Sequence, residues 1–190
     1  IQPHFLFNTL NSIFALSEID LERMQKLLEA FNQVLRQKFS FQKYDELSFI
    51  QDELEFLKAY LYIEQERFGD RLQIHWDIDD DLDFMIPSLT IQPLVENAIR
   101  HGILKKDDGG TVTIRIERFN RYYKITISDD GIGMDEAMIQ KILETPHHRS
   151  SGVGLRNANL RLIRKYGVGL NIESHPEIGT TISFKVFLSE

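Results

Sequence analysis

A chain of 190 residues with 42% hydrophobic and 27% charged side chains has the make-up of an ordinary folded protein, with room for one domain or two small ones. Its net charge of −7 argues against a nucleic-acid-binding surface, because phosphate backbones are met by basic patches, and the lack of cysteine excludes disulfides and thiolate chemistry. No apolar run reaches the roughly 18 residues that a membrane span needs, and no signal peptide is present. The chain opens at Ile1, without Met and inside a motif taken up below, so it reads as part of a longer protein.

Residues 4 to 39 contain neither Gly nor Pro. Apolar residues recur at Leu6, Leu10 and Ile13, then at Met24, Leu27, Phe31 and Val34, the spacing of a helix with one apolar stripe. The stripe is interrupted at Ser17 and Asp20, and Ser17-Glu18-Ile19-Asp20 resembles a capping box, so a break and restart can fall there. A polar stretch from Ser40 to Asp45 suits a turn. Beyond it, Leu47, Ile50, Leu54, Leu57, Leu61 and Phe68 follow steps of three and four, with Glu64 at one stripe position. Two such helices on a short connection pack antiparallel. A lone hairpin buries two apolar stripes poorly, so a homodimer forming a four-helix bundle is expected. The alternative is a hairpin packed on its own second domain.

At Gly69-Asp70 the period changes. Leu72, Ile74, Trp76 and Ile78 alternate with polar residues, as in a strand. Residues 90 to 101, 135 to 144 and 154 to 166 read as helices; residues 111 to 119, 122 to 128, 170 to 174 and 181 to 188 read as strands, the first two joined by a tight turn at Asn120-Arg121. The expected fold class is therefore α+β: a helical hairpin over residues 1–68, followed by an α/β sandwich with a mixed sheet over residues 69–190.

Three segments of the second part carry chemistry. The first is Gln92-Pro93-Leu94-Val95-Glu96-Asn97-Ala98-Ile99-Arg100-His101-Gly102. On a helix, Pro93, Asn97 and Arg100 share a face, and an Asn amide oxygen suits Mg²⁺, which takes few protein ligands beside phosphate and water. Arg100, His101 and Lys105 can neutralise phosphate charge. Taken alone, the segment is equally an amphipathic helix with a polar outer face. The second is Asp129-Asp130-Gly131-Ile132-Gly133, directly after a strand. A carboxylate there can accept a hydrogen bond from an exocyclic amine such as adenine's, and Gly131 and Gly133 let backbone approach a flat ring. The plain alternative is a strand-to-helix turn. The third is Gly152-Val153-Gly154-Leu155 before a helical run, where free N–H groups and the helix dipole favour an anion. The polar stretch before it, with His147 and His148, suits a lid; nearby Cys or carboxylate ligands for a metal are lacking.

The order and spacing of the three resemble the left-handed ATP-binding sandwich shared by DNA gyrase, MutL, heat-shock chaperones and histidine kinases. Gly179-Thr180-Thr181 resembles that fold's closing strand, in which a hydroxyl helps hold adenine; Thr180 is the better match and Thr181 the alternative. No Gly-x-x-x-x-Gly-Lys-[Ser/Thr] is present, so an ordinary P-loop is excluded. Hydrolysing members place a Glu four residues before the magnesium Asn; here that residue is Pro93, so water is not the obvious nucleophile.

The N-terminus offers another. Gln2-Pro3-His4-Phe5-Leu6-Phe7-Asn8 resembles the phospho-acceptor motif of LytS/YesM-type sensor histidine kinases, and Glu53, Tyr60-Leu61, Glu64 and Arg67-Phe68 fit the same family. The resemblance implies ATP- and Mg²⁺-dependent autophosphorylation on His4, then transfer to an aspartate of a response regulator, by a membrane-linked homodimer whose kinase portion is cytoplasmic. In the phase set by Leu6, Leu10 and Ile13, His4 falls beside the seam and is exposed. Neutral imidazole carries a nucleophilic lone pair near neutral pH. Asn8, one turn on, can orient the ring or the γ-phosphate. Many histidine kinases carry an acidic residue directly after the histidine; here it is Phe5, which leaves Glu96 as the candidate base and Glu64 as a weaker one, better suited to a buried ion pair with an Arg. Other outcomes are a non-catalytic ATP-binding dimer scaffold, or an ATPase or serine/threonine kinase of the same fold.

Overall fold

The computed structural model describes residues 3–40, 47–144 and 153–188. Its first part is three helices. The stretch from residue 4 to 39 is divided where the apolar stripe fails, into α1 (Pro3–Ser17) and α2 (Leu21–Ser40). The cap is Asp20, not Ser17. The Arg23 N–H donates to Asp20 Oδ1 at 3.0 Å, satisfying an N-terminal amide that the helix leaves open. The Ser17 hydroxyl instead donates back to the Phe14 carbonyl at 2.7 Å.

α3 (Ile50–Phe68) runs antiparallel to α2. Arg23, at the start of α2, pairs with Glu66, near the end of α3, at 2.8 Å; Lys38, near the end of α2, lies 5.9 Å from the Phe56 ring centre. The two expected stripes meet here, burying Leu27, Phe31 and Val34 against Ile50, Leu54, Leu57 and Leu61. α1 folds back alongside, with the Phe5 ring stacked on Tyr60 at 5.5 Å. Its phase differs from expectation. Phe5, Thr9 and Leu16 are buried, while Leu10 is 50% exposed. The reason is that α1 carries two apolar faces, and the one bearing Phe5 is that which meets Tyr60.

Leu47 is not helical. It begins β1 (Leu47–Phe49), which pairs antiparallel with β3 (Met85–Pro87), Leu47 opposite Pro87. These two short strands were not visible in the sequence, and their pairing crosses the expected boundary at residues 68 and 69. The expected turn from Ser40 to Asp45 falls largely outside the described residues.

The main sheet contains β2 (Leu72–Ile78), β4 (Gly110–Arg118), β5 (Tyr122–Asp129), β6 (Asn171–His175) and β7 (Gly179–Phe187) in the order β2-β4-β5-β7-β6. β2 and β4 are parallel and the other pairs antiparallel, so the sheet is mixed as expected. Alternate side chains point to one side: Val112, Ile114 and Ile116 of β4, Tyr123, Ile125 and Ile127 of β5, and Ile182, Phe184 and Val186 of β7 are all buried. Over them lie α4 (Ile91–Asn97), through Ile91, Leu94 and Val95, and α6 (Val153–Tyr166), through Leu155, Ala158 and Leu162. Each buried Val, Leu, Ile or Phe among them contributes roughly 1.5–3 kcal/mol. α4 continues as a π turn over Ala98–Gly102 and a 3-10 turn over Ile103–Lys105. α5 (Glu136–Glu144) completes the described helices.

Candidate active site

The face that buries Ile125 and Ile127 on β5 continues to Asp129, and the face that buries Ile182 and Phe184 on β7 continues to Thr180. Asp129 and Thr180 are direct cross-strand partners, so both lie at the sheet's end on the side covered by helices. Thr181 pairs with Ser128 on the opposite face, and its hydroxyl lies 3.0 Å from the Ser128 hydroxyl. This separates the two threonines that the sequence left open. Thr180 is buried, and its hydroxyl lies 2.8 Å from Ser174 Oγ.

Burial raises the Asp129 carboxyl to about 6; the Gly131 N–H opposes the rise, the neighbouring Asp130 adds to it, and the Thr180 N–H opposes it. The Gly131 N–H donates to Asp129 Oδ1 at 3.0 Å. A Cβ on Gly131 would strike the backbone of Gly102, and a Cβ on Gly102 would strike the Asp129 carboxylate. The bare Cα atoms therefore let the loop after β5 sit directly against the turn that ends the Asn97 helix, where the Ile132 N–H reaches the Gly102 carbonyl at 3.4 Å. Gly133 holds φ +67°, and a side chain there would strike the His175 carbonyl.

Asn97 is buried at the end of α4, one turn beyond Pro93. His101 is half-buried; burial lowers its pKa, as do Lys105 and then Arg100, which favours the neutral ring. Lys105 is exposed. Arg100 lines a cavity of about 10 Å³ with Phe5, Lys38, Tyr60 and Glu96 at the junction with the helical part. Gly154 opens α6 against Pro93; an added Cβ would lie 3.0 Å from Pro93 Cβ. The Leu155 side chain belongs to the core, which leaves its backbone as the group it can offer a ligand. Gly152, His147 and His148 lie outside the described residues.

His4 is exposed, as expected. The Asn8 amide nitrogen lies 2.9 Å from its Nδ1 and 3.3 Å from its Nε2. The next residue, Phe5, shares the small cavity with Glu96, whose Oε1 accepts the Gln92 amide at 2.6 Å. Glu64 is buried and lies 3.8 Å from Arg67, the structural pairing anticipated for it. Burial raises its pKa.

Sequence reasoning gave no role to the groups that aim α4. Buried Glu53 accepts the Leu89 N–H at 2.5 Å and the Ser48 hydroxyl at 3.2 Å. Arg161 donates to the carbonyls of Ser88 and Leu89 at 2.6 and 2.9 Å. Between them they hold the turn before α4, where Leu89 adopts φ +57°, an uncommon backbone for a bulky residue. Glu53 carried a family-pattern signal, whereas Arg161 carried none, because its partners are 72 and 73 positions away.

A helix-covered mixed sheet with a half-buried carboxylate at the end of its central strand has the architecture of the ATP-binding α/β sandwich. Residues 86–190 match the profile of histidine kinase-, DNA gyrase B- and HSP90-like ATPases, and residues 1–72 match that of histidine kinases. The chain belongs to the histidine kinase family, in its LytS-type sensor branch. It is 41% identical to YwpD of Bacillus subtilis, over 100% of this chain and 68% of that protein. It is 39% identical to the sensor histidine kinase YpdA of Escherichia coli, over 98% of this chain and 32% of that one. It is 37% identical to the sensor protein LytS of Oceanobacillus iheyensis, over 88% of this chain and 29% of that one. The chain thus spans about two thirds of YwpD and about a third of the two sensor proteins. The catalytic domain of histidine kinase ThkA shares the fold with a TM-score of 0.57 at 18% identity, covering 75% of this chain and 97% of that one.

Proposed function

We propose that the chain binds ATP with Mg²⁺, phosphorylates itself on His4, and passes the phosphoryl group to an aspartate of a response regulator in two-component signalling. The observation that carries this reading is the half-buried Asp129 carboxylate opposite Thr180, with bare Gly102 and Gly131 beside it. A purine can lie flat there and donate its exocyclic amine to Asp129, while the Thr180 hydroxyl offers a second polar contact. The phosphates then run toward Asn97 and the first turn of α6, where helix N–H groups favour an anion. Among the described residues no group of three or more His, Asp or Glu gathers to hold a metal. The Asn97 amide oxygen is the protein ligand of suitable chemistry, with phosphate and water completing the shell. Mg²⁺, when bound, offsets the charge of the phosphates.

In the transfer, a ring nitrogen of His4 attacks the γ-phosphorus in line with the leaving oxygen. A P–N bond forms, the bond to the bridging oxygen breaks, and ADP leaves with the electron pair. Asn8 holds the imidazole ring. The ring proton passes to Glu96 or to solvent.

A second copy of the chain completes the helical part. Phe7, Leu10 and Phe14 recur along one side of α1 and are 68%, 50% and 72% exposed, an apolar stripe suited to an identical stripe in a homodimer. Among the described residues no helix is long and apolar enough to cross a membrane. The kinase portion is placed at the cytoplasmic side of a longer membrane sensor, in keeping with relatives named as sensor proteins that extend well beyond the matched region.

Incubation with γ-labelled ATP and Mg²⁺ tests this reading. Label that survives base and is lost in acid is expected of a phosphoramidate. Acid-stable label would point to serine or threonine, and ADP release without label would point to an ATPase.

A further inference from the structure

Lys38 projects from the end of α2 toward α4. Its ammonium donates to Gln92 Oε1 at 3.4 Å, a long bond, and the Gln92 amide is already committed to Glu96 at 2.6 Å. Among the described residues Lys38 forms no ion pair. Burial lowers its pKa, which Glu96 opposes and Arg100 reinforces. A partly desolvated ammonium with one long hydrogen bond and the Phe56 ring at 5.9 Å is the state an anion relieves.

Lys38 stands where two spaces meet. It lines the small cavity beside Phe5, and it also lines a cleft of about 490 Å³ between α4 and α6. The cleft wall carries Lys38, Arg161 and Arg164 against the single carboxylate of Glu96, in a chain whose net charge is −7. Arg161 is occupied by the carbonyls of Ser88 and Leu89. Pro93, one turn before Asn97 on α4, and Gly154, in the first turn of α6, also line this cleft. Gln92, Glu96 and Lys38 line the same cleft as Pro93 and Gly154.

We propose that Lys38 binds the terminal phosphate of the nucleoside triphosphate, so that the helical part supplies one wall of the nucleotide site. The inference rests on the ATP-binding reading above and adds a residue that no ATP-binding motif contains. The α- and β-phosphates stay on the side of Asn97 and Gly154. Lys38 therefore distinguishes ATP from ADP. It also ties occupancy of the site to α2, which packs beside the helix bearing His4.

Calorimetric titration of the whole chain with Mg-ATP and with Mg-ADP tests this. Lys38→Met should lose about tenfold in ATP affinity, the scale of one charge-assisted hydrogen bond, with ADP affinity within twofold of the unaltered chain. Lys38→Arg should recover most of the ATP affinity. Equal losses for ATP and ADP, or unchanged ATP affinity, overturn the proposal while leaving the ATP-binding reading intact. If the unaltered chain binds neither nucleotide, both fall. Should Lys38→Met lose its helical circular dichroism, Lys38→Gln gives the same comparison with a polar side chain retained.

Discussion

Asp129 and Thr180 stand directly opposite each other on adjacent antiparallel strands, and both turn toward the helices. The sheet thereby presents an acceptor and a hydroxyl side by side at its end. The acceptor is costly to keep there. Burial lifts the Asp129 carboxyl from an ordinary 3.8 to about 6. The folded chain binds that proton more tightly than the unfolded chain. Stability from this group is therefore complete below pH 3.8 and is lost as pH rises to about 6. The loss is on the order of 3 kcal/mol.

Asp129→Asn should consequently raise the melting temperature at pH 8 and leave it nearly unchanged at pH 4, while weakening ATP binding at pH 8, where the carboxylate is ionised, far more than at pH 4. Thermal melts paired with calorimetry check this. Equal melting temperatures at pH 8 would contradict the burial argument, and unchanged ATP affinity would contradict the adenine contact.

Gly131→Ala introduces a methyl where the Gly102 backbone already stands. The strand loop and the end of the Asn97 helix must separate. A loss on the order of 1–3 kcal/mol is expected from overpacking, with nucleotide affinity falling further than stability alone explains. Chemical denaturation and titration with ADP measure the two effects separately.

Asn97→Ala should impair phosphate transfer at a given Mg²⁺ concentration far more than it impairs binding of adenosine, which reaches only Asp129 and Thr180. Transfer rates across a Mg²⁺ series, beside adenosine affinity, decide this. Normal turnover in the variant would refute a metal role for Asn97.

The exposed side of α1 carries the fourth prediction. Phe14, 72% exposed, loses little as a monomer surface residue but much at a dimer centre. Phe14→Glu should shift the chain toward monomer in light scattering, with ADP affinity retained. A variant as dimeric as the unaltered chain would place the interface elsewhere.

What was legible in the sequence was local. The two-residue period that buries Ile114, Ile125 and Ile182 also marks their strands, and Asp129, Gly131 and Gly133 fall within five positions, so their motif survives without knowledge of the fold. Asp20 was visible as an interruption but not as the cap. The phase of α1 was not legible, because two apolar faces compete and only packing against Tyr60 chooses between them. The three-residue strands β1 and β3 are too short to show a period. Lys38, Glu53 and Arg161 act across 54, 36 and 72 positions, respectively, and no spacing rule foretells such partners.

The most direct test of the account is to locate the phosphoryl group after incubation with Mg-ATP, by proteolysis at alkaline pH and mass spectrometry. The account predicts phosphate on His4 in the unaltered chain, and a His4→Gln chain that binds ATP but acquires none. Phosphate on another residue, or undiminished incorporation in His4→Gln, would contradict it.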